Sequence, residues 1–125
     1  MTREEFFDYA EETYSVTPDY PFSDDDITAV FRHSQNKKWF ALVMTIPKCK
    51  LGLQGNELID VVNLKCDPDM KYSFIDNVGI FPAYHMSKVH WISAVLNLDE
   101  YSDKIKWLLD VSYELTGIKN KKCRK

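Results

Sequence analysis

The chain has 125 residues, 45% apolar, 28% charged and 14% aromatic, a composition that fits one globular domain with a single real core. No apolar run approaches the roughly 20 residues of a membrane span, and the acidic start MTREEFFDYAEE has neither the basic nor the apolar region of a signal peptide, so a cytoplasmic location is expected. The net charge of −3 hides an asymmetry: residues 1–26 carry nine acids and one base, 27–116 carry ten of each, and 117–125 carry five bases and no acid. That distribution argues against a uniformly nucleic-acid-binding surface and leaves a basic tail able to touch phosphate.

Along the chain, Thr2-x-x-Glu5 has the form of a capping box, and Phe6, Ala10 and Tyr14 recur at helical spacing, which predicts a first helix over 2–14. The prolines and Asp run of SVTPDYPFSDDD predict a loop. Ala29–His33 and Trp39–Ile46 read as a hairpin whose second strand is central, with its turn at Ser34–Lys37. Leu58–Lys65 is a third strand, with Val62 and Leu64 on one side and Asn63 and Lys65 on the other.

Asp67-Pro68-Asp69 has the residues of a helix start, and that helix should end before Gly79. Ile80–Phe81 is a short strand limited by Pro82. Val89–Leu96 alternates as a strand, Ile92, Ala94 and Leu96 opposing Trp91, Ser93 and Val95. A last helix runs from Leu98 or Ser102 to Thr116, with Tyr101, Ile105, Leu108 and Leu115 as its stripe and Gly117 at the position after the cap. The order α-β-β-β-α-β-β-α predicts a two-layer α+β domain over 1–125. It has an antiparallel sheet of about five strands, helices gathered on one face, the other face partly open, and 117–125 as a basic tail.

Three cysteines, Cys49, Cys66 and Cys123, without close spacing speak against a disulfide framework and a C-x-x-C zinc site. Cys66 at a helix start could be an activated thiol, but it continues the apolar Val62/Leu64 face and reads better as buried and inert. His85 and His90 are five apart across a loop and strand boundary, not at the spacing that points two rings one way. The four glycines are scattered, so there is no phosphate loop. No cofactor, metal or catalytic group is expected. Nucleic-acid binding needs cations for phosphate and flat rings for stacking. Lys37, Lys38 and Trp39 offer these at the hairpin tip, Lys65 on the sheet face, and Tyr84, His85, Lys88, His90 and Trp91 in PAYHMSKVHW. The same loop residues could equally be bracing backbone groups.

DYPF at 19–22, NLKCDP at 63–68, PAYHM at 82–86 with Lys88, His90 and Trp91, and SYEL at 112–115 occur in order over nearly the whole chain. With them the sequence resembles the MmcQ/YjbR family of small bacterial proteins, from which it departs in Ser87, where the family commonly has asparagine, and in the basic tail. The resemblance implies a CyaY-like or secretion-chaperone-like α+β fold and a DNA-binding role through two β-hairpin wings, with no catalytic residues. The expected function is therefore a non-enzymatic DNA-binding module of weak, salt-sensitive affinity. The alternative is a protein-interaction or chaperone-like module that uses the open sheet face, and a metal or enzyme role for Cys66, His85 and His90 is the minor possibility.

Overall fold

Thr2 opens the first helix as its sequence demands: its hydroxyl accepts from the Glu5 amide while the Glu5 carboxylate accepts from the Thr2 amide. In this computed structural model, which describes residues 1–22, 24–25 and 27–117, that helix is α1 (Arg3–Tyr14). The strands follow as β1 (Ala29–Arg32), β2 (Trp39–Pro47), β3 (Leu58–Lys65), β4 (Ile80–Pro82) and β5 (Trp91–Val95), and α2 (Ser102–Thr116) closes the chain. The sheet is antiparallel throughout, in the order β1-β2-β3-β5-β4. The expected basic tail, with Cys123, lies outside the described residues.

The helical element between β3 and β4 is reduced to a 3-10 turn, Lys71–Ser73. Asp76 explains the brevity. Its Oδ1 accepts from the amides of Val78, Gly79 and Ile80, each at 3.0 Å, which bends the chain into β4 instead of prolonging a helix. Burial works against the charged form of this carboxyl, but the Tyr101 hydroxyl and the three amides overcome it and hold it well below the usual carboxylate range. β5 starts at Trp91, two residues later than its alternation suggests, because the Trp91 amide closes a turn on Ser87 O at 3.0 Å. Gly117 is extended, with φ −74° and ψ 171°, so no left-handed cap requires it. A Cβ there would approach the His33 ring and the Tyr113 carbonyl to 3.2 Å, so glycine serves close packing.

Both helices lie on one sheet face. Phe6 and Ala10 of α1 and Ile105, Leu108 and Leu109 of α2 pack against Ala29, Phe31, Ala41, Val43, Val62, Leu64, Ile92 and Ala94. Register slips between Phe31 and Arg32, which pair with Ala41 and Trp39, and Phe40 is the extra residue of the bulge. Its ring therefore turns to the helix side, 5.4 Å from Tyr14 and 4.9 Å from Tyr113.

His33 is buried beside these rings, 4.1 Å from Tyr113, and its Nε2 lies 2.9 Å from Thr116 Oγ1. Because the Thr116 hydroxyl donates to Ser112 O, the imidazole must donate at Nε2. Burial lowers the His33 pKa, only partly offset by the Tyr113 carbonyl and the Glu114 carboxylate. The unfolded chain then binds the proton more readily, so stability held above about pH 6.5 falls as pH drops toward the lowered folded value. Urea unfolding between pH 7.5 and 5.5 should show that loss, and His33→Gln should flatten it; an equal slope in the variant would refute the assignment.

Candidate functional site

The face opposite the helices is built by one cross-strand row. Val30, Leu42, Asn63, Ser93 and Phe81 are paired in succession across β1, β2, β3, β5 and β4, so all five side chains point the same way. This face is not open, contrary to the sequence expectation. Val30, Asn63 and Ser93 are fully buried and Leu42 and Phe81 nearly so. Leu51, Tyr84 and Met86 pack over a second apolar cluster formed by Val30, Leu42, Met44, Ile46 and Val61.

The segment of residues 82–91 crosses that row and is held by its backbone. Asn63 Nδ2 donates to Tyr84 O at 2.8 Å, the Tyr84 amide donates to Ser93 Oγ at 2.9 Å, and Ser93 Oγ donates to Asn63 Oδ1 at 2.5 Å. Lys88 Nζ donates to Ala83 O at 2.9 Å, the buried Lys71 Nζ donates to Lys88 O, and the Cys66 amide donates to His90 O at 2.7 Å. Much of the signature is thus spent on shaping the loop. What the loop presents is His85, in the left-handed region at φ 65° with its ring 4.0 Å from that of Tyr84, and the exposed Lys88 and His90.

Two grooves flank the Tyr84–Met86 segment. Over β2, Phe22, Trp39, Leu42, Met44, His85 and Met86 line a cleft of about 390 Å³, with Asp25 and Thr28 on its rim. Trp39 is half-buried and meets Phe22 edge to face at 6.0 Å. Phe22 is placed by DYPF: Asp19 bridges Val30 through two 2.8 Å backbone bonds, and its carboxylate pairs with Arg32 at 2.5 Å. Both Asp25 oxygens are engaged, by the amides of Ile27 and Thr28 and by the Thr28 hydroxyl, and these bonds keep its carboxyl below the ordinary range. Over β4, a smaller cleft of about 250 Å³ is lined by Lys50, Leu51, Asn77, Phe81, Tyr84 and Lys88 among others.

The residues expected from sequence are therefore brought together in part. Trp39 joins His85, and Tyr84 joins Lys88. Lys38 is exposed next to Trp39, whereas Lys37, at φ 65°, lines a different cleft with Ser15, Thr17, Asp19 and Arg32. Trp91 is 9% exposed and paired with the half-buried Lys65, so it offers little ring to a ligand. Lys50, one of two lysines that follow the second strand in sequence, joins Lys88. Phe22, Met86 and the buried Lys71 carry no sequence expectation of their own; Phe22 and Met86 stand inside the DYPF and PAYHM motifs, but no local pattern marks Lys71. Cys66 is buried, and desolvation with Asp67 beside it pushes its thiol up, so it is held protonated. Among the described residues no three of His, Cys, Asp and Glu gather closely enough to hold a metal, and no helix is long and apolar enough to cross a membrane.

Comparison with known proteins agrees with this architecture. The chain is 41% identical over 116 residues to the uncharacterized protein YyaQ of Bacillus subtilis, covering 93% of this chain and 98% of that one. A crystal structure of a Pseudomonas syringae protein superposes with a TM-score of 0.90 at 44% identity, over 94% of this chain and 100% of the other. A Deinococcus radiodurans protein with a DUF419 domain shares the fold, at a TM-score of 0.68 and 24% identity over 91% of this chain and 77% of its own. The YjbR family profile matches residues 11–115, and with these relatives it shows that the chain belongs to the YjbR family.

Proposed function

We propose that the chain is a cytoplasmic, non-catalytic DNA-binding module that uses the sheet face opposite its helices. The observation that carries this reading is the pair of grooves on either side of Tyr84–Met86: an aromatic cleft at Trp39 and His85, and a cationic one at Lys50 and Lys88. Rings for stacking and ammonium groups for phosphate are what nucleic-acid contact needs. Lys88 gives one of its three donors to Ala83 and keeps two for a ligand. Residues 1–116 carry nineteen acids against eleven bases, so the long-range field opposes a polyanion, and affinity should be weak, with a salt sensitivity set by the few phosphates that the lysines contact.

Anisotropy of labelled DNA, single-stranded and duplex, at rising salt tests the reading. Binding should appear at low salt and weaken with a slope of about −0.7 per phosphate contacted on a single strand, and Lys50→Ala should reduce that slope by about one contact. Absence of any binding at low salt would refute it. The apolar lining of the β2 groove, beside the acidic Asp24 and Asp25, favours a second reading as a dock for a basic peptide with an apolar anchor. A nuclease-insensitive, stoichiometric protein partner of that chemistry, with no affinity for DNA, would support it instead.

A further inference from the structure

We propose that this face takes a single strand and not a duplex: an unstacked base seats against Trp39 in the groove over β2, while phosphates further along the same strand lie at Lys50 and Lys88 over β4. The inference rests on the DNA-binding reading and specifies its ligand. Its first support is the depth of Trp39. A wedge that opens a base stack has to project, but Trp39 is half-buried, braced edge-on by Phe22, above Leu42 and Met44, each 5% exposed. Such a cleft accepts a ring. Its volume of about 390 Å³ is at the small end of ligand clefts, which run from roughly 300 to 1,000 Å³, so it suits a group no larger than one base with its sugar.

The second support is the placement of charge. Asp25 stands on the aromatic side, with the exposed Asp24 before it in the chain, and Lys50 and Lys88 stand on the other side of Tyr84. A strand with phosphates over the lysines and a base further along seated at Trp39 meets the cations and brings only one backbone toward the acidic side. A duplex has a second backbone, which would fall against Asp25. The two grooves sit over Leu42 and Phe81, members of one row three strand spacings apart, about 14 Å. A short stretch of strand running across the sheet bridges that distance over the Tyr84–His85 ring pair.

A third support is His85, whose left-handed backbone carries an exposed imidazole, without a hydrogen-bond partner among the described residues, on the lining of the aromatic groove next to Tyr84. Strain of this kind persists where the surrounding fold over-determines it, and it collects at ligand clamps. Asp25 is already saturated by amides and a hydroxyl. The cleft therefore has few free groups to read a base edge, and binding should tolerate any sequence.

The test compares three labelled probes of equal length at low salt: oligothymidylate, the same strand with abasic sites, and a duplex. Oligothymidylate should bind on the order of tenfold more tightly than the abasic strand, the effect of about one stacked base, and more tightly than the duplex. Phe22→Ala and Trp39→Leu should each remove that advantage without altering the salt slope, while Lys50→Ala should lower the slope and keep the advantage. Phe22 is 41% exposed, so its variant reports on the site without threatening the fold. Equal binding of the abasic strand, or tighter binding of the duplex, overturns the base-seating proposal while leaving DNA binding in place. Failure of all three probes overturns the DNA-binding reading itself.

Discussion

Replacing Asn63 by alanine is expected to cost about 3 kcal/mol, a large share of the roughly 5–15 kcal/mol that holds a domain of this size. Asn63 is fully buried and serves two partners at once, donating to Tyr84 O at 2.8 Å and accepting from Ser93 Oγ at 2.5 Å. Alanine leaves the carbonyl without a donor and the hydroxyl without an acceptor, each a desolvated group worth about 1–3 kcal/mol, and opens a small void as well. Asn63→Leu keeps the bulk but not the bonds, so it should recover only the packing part. Ser93→Ala alone removes the same chain of bonds at its other end. The double variant should therefore lose less than the sum, with a coupling of about 1–2 kcal/mol. Urea unfolding of the four proteins reads all of this. A loss below about 1 kcal/mol in Asn63→Ala, or strict additivity, would mean that the network contributes little. Since both hydrogen-bonding groups of the Tyr84 backbone depend on it, Asn63→Ala should also loosen His85 and abolish any binding that needs the loop in place.

The same residues show what the sequence could and could not convey. Alternation in β3 and β5 placed Asn63 and Ser93 correctly on the face away from Val62, Leu64, Ile92 and Ala94. It also suggested that they meet solvent, because a polar residue at period two ordinarily does. Periodicity separates two faces but carries no information about a loop from twenty residues away that covers the second one. The capping box and the Ile105 and Leu108 part of the α2 stripe were legible because they are local, set by residues three or four apart, and each element of the chain order could be read from its own periodicity. The Phe40 bulge, the burial of Lys71 and the close approach to Gly117 depend on tertiary neighbours and left no local mark. Half the candidate site was legible for a related reason. Trp39, Tyr84, His85 and Lys88 are unusual residues for a loop or hairpin end, and Lys50 follows the central strand as an evident cation, whereas Phe22 and Met86 became part of the site only through the fold that assembles it.

Ser112 carries the second large effect, and it gives the SYEL motif a physical meaning. It lies on the buried stripe of α2, where an apolar side chain would be the simple choice. The last strand pair before the bulge is Ala41 with Leu64, and beyond it Phe40 O and the Lys65 amide have no strand partner across the gap. The Ser112 hydroxyl fills that gap, donating to Phe40 O at 2.6 Å and accepting from the Lys65 amide at 2.9 Å. A helix side chain thus stands in for one rung of the ladder and ties α2 to the sheet at the point where the bulge splays it. Ser112→Ala orphans both backbone groups and should cost about 3 kcal/mol, whereas Ser112→Thr, which retains the hydroxyl, pays only for crowding by one methyl. Native-state hydrogen exchange provides the more specific readout. The Lys65 amide should lose protection in Ser112→Ala well beyond the global loss of stability, while the Val62 and Leu64 amides should follow the global change alone. If Lys65 exchanges no faster than its neighbours predict, the hydroxyl is not acting as the missing rung.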